Sequence, residues 1–424
     1  MRGLFKGLYG VMNVWIVFVG ETLPMDEATR TWRYGILAQT LAARGHHVTR
    51  WAPTFNHSHK KQRYHTDYTY EVNENYKIKL IYNRGYKRNI GFQRLLSYIQ
   101  LAHSFKRRIK NEKPPDIIIS GMPTSWLCSV TINYGQQKNI PVVIDIRDLW
   151  PDIFVDVFPK YLKKIGKLAL DVFNTDIFEK AISITAISPK YLAWGLNYAN
   201  RAKTENDCIF YMGYKQKSLT DQMKVDLYKF WEKLGVSKQR FICCFFGSIN
   251  RQFNIKNIIH AAKYLKEIKS DEVLFVMCGD GTHLTYYKNM AKEFNNIIFP
   301  GWVGIEQIQS LMQISEVGLA PYSSSAKMSL PNKPFEYFSG GLPVLSSLHD
   351  ELEQILSEND CGLTYEAGDV QGLVDTILYL KNNPEKREQM GKNAKRLFEE
   401  KYIADKIYPP MADHMEKLVY GNDK

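Results

Sequence analysis

The stretch NVWIVFVG, Asn13 to Gly20, decides how the first half of the chain is read. It is apolar at nearly every position, and the helix-spaced TWRYGILAQTLAARG (Thr31 to Gly45) follows it. HHVTRWAP (His46 to Pro53) then returns to a strand pattern. Short apolar runs without alternation are strands covered on both faces, so this is a strand, helix, strand unit with Met12 to Val19 as its first strand. DIIISG, PVVIDIRD and ISITAIS continue the series, with helical stretches at Arg94 to Asn111 and Thr124 to Gln137. Such alternation predicts an α/β fold built on a parallel sheet.

A second series begins after a charged, helical linker of about Gln216 to Gln239. It runs through RFICCFFGS, VLFVMCGDG, NIIFPGWV, SEVGLAPY and LPVLSS, separated by amphipathic helices. The chain therefore reads as two Rossmann-like, doubly wound domains, residues 1–215 and 216–402. Glu385 to Tyr402 reads as a long charged helix. A break at Pro409-Pro410 is expected to redirect the last segment, 403–424, to the first domain. In such folds ligands sit at the carboxyl ends of the strands, here expected in the cleft between the two domains.

Composition narrows the function. With 45% hydrophobic and 24% charged residues the chain is globular rather than disordered, and its formal charge of +12 favours an anionic partner. Nucleic acid is set aside because no zinc-finger, RNA-recognition or helix-turn-helix signature accompanies the charge. The six cysteines form no Cys-x-x-Cys pair, which argues against zinc and disulfides and fits a reducing cytoplasm. No stretch approaches the length of a membrane span, so contact with an anionic membrane is expected to be peripheral, through KYLKKIGKLALDVF (Lys160 to Phe173) and FKRRIKNEK (Phe105 to Lys113). A solvated helix face is the default reading of both.

Several chemistries drop out. Gly279-Asp280-Gly281 follows a strand, but Leu284 stands where a dinucleotide fingerprint needs its third glycine, and GETLPMDEATR replaces a glycine-rich turn after the first strand. No Walker lysine, G-x-S-x-G or Cys/His signature occurs. No Asp-x-Asp pair is present to hold a metal on a diphosphate, so neither metal nor cofactor is expected.

SLPNKPFEYFSGGLPVLSS, Ser329 to Ser347, holds the residues of most interest. Asn332 reads as an N-cap, Pro334 as a first-turn residue, and Gly340-Gly341 as the stop before a strand at Leu342 to Leu345. Lys333 then stands at the positive end of a short helix, which is unfavourable unless an anion joins it. A diphosphate fits, with Glu336 one turn on accepting from vicinal ribose hydroxyls. Spacing alone does not separate this from a solvated lysine paired with Glu336.

Arg251 and Lys256, in GSINRQFNIKN, stand just past the second domain's first strand and are candidates for further contact with the phosphates. Asp145, Arg147 and Asp148, in IDIRDLWPDIF, end a strand of the first domain, where an Arg–Asp brace and a catalytic role are equally open. Trp150 and Trp302 read more readily as packing than as stacking platforms.

PNKPFEYFSGGLPVLSS is similar to the C-terminal donor motif of retaining glycosyltransferases of family 4, which have the two-domain GT-B fold. The likeness extends through FVMCGDG, NIIFPGWVG and SEVGLAPY. In the first half it includes GETLPMDEATRTWRYGILAQTLAARGHHVTRWAPTFNH, IRDLWPD and EKAISITAISPKYL, which resemble members that build O-antigen, capsule or other bacterial surface polysaccharides. The resemblance implies transfer of a sugar, with retention, from a nucleotide-diphosphate sugar, commonly a UDP-sugar. It implies a saccharide or polyprenyl-diphosphate-linked acceptor at the inner face of the membrane.

Carried over, Lys333, Arg251, Arg147 and Asp148 are the candidate catalytic residues. Donor contact falls to Glu336, Lys333, Arg251, Lys256, Gly247, Gly279, Gly281, Trp302, Val303, Met328, Ser329 and Leu330. Acceptor contact falls to Asp26, Arg30 and Trp150. Met328 occupies the place of the family's first glutamate, with Ser329 and Leu330 as substitutes, and Arg147 stands where many members have a histidine. A sugar-nucleotide epimerase on the same fold and a non-catalytic membrane-associated assembly factor are the other readings.

Overall fold

The computed structural model describes residues 10–26, 31–87, 91–149, 163–216, 218–270, 272–326 and 330–421. It divides into two compact units, Met1–Gly213 with Ala404–Lys424, and Tyr214–Ile403. The fold is α/β, with a largely parallel sheet in each unit.

In the first unit the strands are β1 (Asn13–Val17), β2 (His47–Pro53), β3 (Phe55–Asn56), β4 (Lys61–Gln62), β5 (Tyr68–Asn73), β6 (Tyr76–Ile81), β7 (Ile117–Gly121), β8 (Val142–Ile146), β9 (Ser183–Ala186) and β10 (Cys208–Ile209). Its helices are α1 (Arg33–Ala43), α2 (Phe92–Arg108), α3 (Ser125–Lys138), α4 (Lys163–Glu179) and α5 (Pro189–Tyr198). The eight-stranded sheet runs β10-β9-β8-β7-β1-β2-β6-β5, all parallel except the β5/β6 pair. Along β1 the side chains alternate between two cores. Trp15 and Val17 join Trp51, Phe105 and Ile144 on one face, while Val14 and Ile16 join Tyr34, Leu37 and Ile78 on the other. An all-apolar strand is what a sheet covered on both faces requires.

The antiparallel hairpins β3/β4 and β5/β6 depart from the all-parallel expectation. Tyr68 to Ile81 alternates in pattern around the turn at Asn73-Glu74-Asn75, so one face of this edge meets water.

The second unit carries β11 (Phe241–Phe246), β12 (Val273–Cys278), β13 (Ile297–Gly301), β14 (Val317–Ala320), β15 (Val344–Ser346) and β16 (Gly362–Thr364). They form a parallel sheet in the order β13-β12-β11-β14-β15-β16. Its helices are α6 (Asp221–Lys233), α7 (Ile255–Glu267), α8 (Leu284–Met290), α9 (Ile305–Ile314), α10 (Lys333–Ser339), α11 (Glu351–Glu358), α12 (Val370–Asn382) and α13 (Pro384–Leu397). Strand order reverses between β11 and β14, which opens a crevice at their carboxyl ends.

The last helix, α14 (Ala404–Tyr420), corrects the expected break: Pro409 and Pro410 lie inside it. Each proline removes a helical donor, at a cost of about 3 kcal/mol. Burial of Tyr408, Met411, Ala412 and Met415 in the first unit's core offsets this, at about 1.5–3 kcal/mol per large side chain. Arg44 also donates to the Pro409 carbonyl at 3.0 Å. The chain turns back into the first unit at Ile403, ahead of the prolines.

Under the carboxyl end of the first sheet, Arg33 and Asp145 form a two-bond ion pair at 2.8 Å in which neither side chain is exposed. Tyr34 and Thr185 each donate to the same carboxylate at 2.7 Å. Burial alone raises the Asp145 carboxyl, but the Arg33 charge and these hydrogen bonds outweigh it and hold the group below its ordinary value. The pair's stabilisation is therefore complete above the unfolded aspartate range and is lost as pH falls through the lower folded value. Asp145→Asn, which strands a buried guanidinium, is expected to lower stability by about 3–5 kcal/mol in urea unfolding at neutral pH, with the gap to wild type narrowing in acid.

Candidate functional site

The second unit's crevice is formed by three backbone segments and one lysine. After β11 the chain turns at Gly247 (φ +148), and after β12 it turns at Gly279 (φ +141) and Gly281 (φ +159). These turns press on each other. A Cβ on Gly279 would stand 1.8 Å from the Gly247 carbonyl oxygen, and one on Gly281 would stand 2.3 Å from that of Ile249. Gly279-Asp280-Gly281 is thus a close backbone approach, which only glycine permits.

A Cβ on Gly247 would lie 2.3 Å from Lys333 Nζ, so the same missing side chain makes room for the lysine. Lys333 opens α10, which leaves the β14 side of the crevice. Tyr337 ties that helix down by donating to the carbonyls of Leu319 at 2.9 Å and Cys244 at 3.3 Å. Its C-terminus closes with Leu342 N–H on the Tyr337 carbonyl and Gly341 N–H on that of Phe338, with Gly341 left-handed at φ +72. Lys395 donates to the Ser339 carbonyl at 2.8 Å, a cation at the helix's negative end. Asn332 precedes the helix as expected but makes no side-chain cap, because its own backbone is already helical (φ −73, ψ −29).

The partly buried ammonium of Lys333 lies 4.2 Å from the Phe253 ring centre and 5.4 Å from that of Phe245. Among the described residues it makes no ion pair, and the expected alternative, a solvated lysine, is not what is found. Burial pushes it down to about 8, against the opposing pull of buried Glu336. Two aromatic faces return on the order of 0.5–2 kcal/mol to such a charge. Neither ring was legible as a partner, since each lies on a different element from Lys333.

The other donor-side residues ring this centre unevenly. Arg251 is exposed in the turn after Gly247, and Lys256 is exposed on the first turn of α7. Gly279 N–H donates to the Gly301 carbonyl at 2.7 Å, which sets the Trp302-Val303 turn beside the glycines. Trp302 is 66% exposed, so in this unit it is not the packing residue that the sequence suggested. Leu330 is buried, and Met328 and Ser329 lie outside the described residues.

In the first unit Arg147 pairs with Glu21, whose second oxygen accepts from buried Arg50 at 2.8 Å. Its guanidinium also stacks 5.0 Å from the Phe18 ring. Asp148 is exposed beside it. Asp26 is clamped by Arg63 through bonds of 2.5 and 2.6 Å, which outweigh the burial that raises its carboxyl. It lines a cavity of about 380 Å³ with Thr22, Thr31, Arg50 and Tyr76. Arg30 and Trp150 lie outside the described residues. Glu21 and Arg33, which organise these charges, were missed because their partners are distant in sequence. Among the described residues no His, Cys, Asp and Glu group is arranged to hold a metal.

Residues 36–197 match the model for Glycosyltransferase Family 4, and residues 229–397 match that for Glycosyl transferases group 1. One match falls in each unit, and the fold is GT-B.

Among its relatives, an uncharacterised glycosyltransferase of Methanocaldococcus jannaschii is 24% identical over 61% of this chain and 62% of its own. The N-acetyl-alpha-D-glucosaminyl L-malate synthase of Bacillus anthracis is 23% identical over 43% of this chain and 47% of its own. The matches thus span less than two thirds of either relative. Among solved structures, sucrose-phosphate synthase from Thermosynechococcus elongatus superposes with a TM-score of 0.70 at 14% identity, over 96% of this chain and 98% of that one. Anabaena HepE in complex with UDP does so at 0.65 and 14%, over 96% and 100%. At these identities the likeness is one of fold.

For this GT-B chain, Gly279→Ala tests the close approach. The new methyl cannot fit unless the Gly247 turn moves, and a destabilisation of about 1–3 kcal/mol is expected in thermal unfolding, with Gly301→Ala, where a Cβ meets nothing and only the left-handed backbone (φ +87) resists, milder.

Proposed function

We propose that the chain transfers a sugar from a nucleotide-diphosphate sugar, a UDP-sugar, to a saccharide or polyprenyl-diphosphate-linked acceptor, with retention and without a metal ion. The observation that carries this reading is Lys333, a cation that is packed between aromatic rings and a glycine turn and makes no ion pair among the described residues. The fold is one in which HepE has been solved with UDP and with UDP-glucose.

In this reading the donor diphosphate lies against the Gly247 turn, where no side chain blocks its approach, with Lys333 as its counter-charge and Arg251 as a second. Glu336 accepts from the ribose hydroxyls, and Trp302 and Val303 lie toward the base. As the glycosidic bond breaks, negative charge grows on the β-phosphate oxygen. Cations fixed beforehand at that position favour the transition state over the ground state. The acceptor hydroxyl attacks from the leaving group's own face and passes its proton to the departing phosphate. Arg147, held by Glu21, and Asp148 are assigned to orienting the reacting sugars, and Asp26, beside its cavity, to the acceptor.

The reading extends to bacterial surface-polysaccharide synthesis at the inner face of the membrane. Leu168 and Val172, one turn apart on α4, are 65% and 64% exposed beside exposed Lys164 and Lys167, a composition suited to anionic lipid. In α2, by contrast, Phe105 is buried and Arg108 pairs with Asp67, leaving Lys106 and Arg107 as the exposed charges. No described helix is long and apolar enough to cross a membrane.

The test is nucleotide release from UDP-, GDP- and dTDP-sugars in the presence of chelator, with membrane extract as acceptor source. One donor is expected to release nucleotide with a glycosylated product, and Lys333→Ala and Glu336→Ala each to slow it by about a hundredfold. An epimerised sugar nucleotide, a strict metal requirement, or release indifferent to both substitutions contradicts the reading.

A further inference from the structure

From Asn75 to Asn111 the chain contains ten Lys and Arg and no Asp or Glu. The early part of this stretch folds against the β3/β4 hairpin and gathers a second set of cations. His57 Nδ1 lies 2.6 Å from the Tyr86 hydroxyl and 3.3 Å from Lys60 Nζ. Lys60 also donates to the His57 carbonyl at 2.5 Å and lies 5.0 Å from the centre of the Tyr86 ring. The Arg94 guanidinium is 5.8 Å from that ring and 5.1 Å from the Tyr98 ring, with its Nε donating to the Tyr98 hydroxyl at 2.8 Å.

The arrangement holds like charges together at a cost. Lys60 adopts φ 54, a left-handed conformation costing on the order of 1 kcal/mol for a side chain of this kind. Among the described residues, neither Lys60 nor His57 has a carboxylate partner. Arg94 stands in the first turn of α2, the end where the helix dipole disfavours a cation, and no acidic residue shares that turn. Asp148 is near enough to interact with Arg94 and Arg147, so the deficit concerns the hairpin side of the group.

Burial, with Arg94, pushes Lys60 down to about 8. Burial, then Lys60 and Arg94, pushes His57 to about 4. At neutral pH Lys60 is therefore charged and His57 neutral. An ammonium can only donate, so Nδ1 is the acceptor and the imidazole proton is assigned to Nε2. The group thus presents an ammonium, an imidazole N–H and a guanidinium, which suit the oxygens of a phosphate. The same hairpin region carries Arg63, which clamps Asp26 beside the cavity.

We propose that His57, Lys60 and Arg94 form a subsite for the phosphate or diphosphate of a phosphorylated acceptor, separate from the donor diphosphate assigned to Lys333. The assignment to an acceptor rests on the transferase reading; the phosphate site itself does not.

The experiment uses full-length Lys333→Met protein, which lacks the donor-side cation, and inorganic diphosphate as probe in isothermal titration calorimetry. Binding is expected, weakened about tenfold by adding either Lys60→Met or Arg94→Met. In protein labelled with ¹⁵N-histidine, the His57 Nε2 signal is expected to move on binding, a readout independent of any variant's folding. No binding, or binding indifferent to both substitutions with an unmoved His57 signal, overturns the subsite.

A prenyl-diphosphate saccharide and phosphatidylglycerol vesicles are compared in the same variants. Dependence on Lys60 and Arg94 for the saccharide supports the acceptor assignment, and dependence for vesicles alone overturns it. UDP titrated into wild type and Lys333→Met reports the donor reading separately. Intact, Lys333-dependent UDP binding beside failed diphosphate binding rejects the subsite and leaves the transferase reading standing.

Discussion

A lysine ammonium held between two phenylalanine rings and a glycine turn is the constraint around which the second unit is arranged. Lys333 can occupy that position only because Gly247 has no side chain. The turn at Gly247 can take its course only because Gly279 lets one backbone lie directly on another. Parallel strands β11 and β12 deliver both turns to the same level of the sheet, and the reversal of strand order between β11 and β14 brings α10 to them. The sheet topology, the glycines and the charge are one structural statement: a cation is presented at an opening where backbone, not side chains, forms the wall.

Two kinds of buried or partly buried charge stand out among the described residues. Arg33 with Asp145, Arg50 and Arg147 with Glu21, and Arg63 with Asp26 are matched, buried or nearly so, and brace the carboxyl end of the first sheet. Removing one member of such a pair leaves the other buried and uncompensated, which is why they serve stability. Lys333 and Lys60 are partly buried and make no ion pair among the described residues, and burial draws their affinity for protons down, against the pull of Glu336 at Lys333. A protein gains no stability from a cation kept this way. The arrangement is intelligible as preparation for an anion, and the proposed sugar transfer, from a diphosphate donor to a phosphorylated acceptor, calls for two.

The sequence announced the parallel sheets because strands covered on both faces are apolar at every position, as in Val14 to Val17 and Phe241 to Phe246. It announced α10 because Pro334 and the two glycines mark its ends. What it concealed depends on contacts between distant segments. Tyr68 to Ile81 alternates too briefly to reveal an antiparallel edge without weighing the Asn73-Glu74-Asn75 turn. Pro409-Pro410 reads as a break until the burial of Tyr408 and Met411 against the first unit's core is known. Arg147 was visible as a charge at a strand end, but its partner Glu21 lies on another segment. Phe253 and Phe245 look like ordinary core residues until Lys333 is seen beside them.

In the proposed function Lys333 is a cation waiting for a diphosphate. Site-resolved NMR titration of its side-chain ammonium, assigned through Lys333→Arg and followed with and without UDP, tests this most directly. A midpoint of about 8 is expected in the free protein, with a rise toward the ordinary lysine range when UDP binds. A lysine that titrates normally in the free protein and ignores UDP would contradict it.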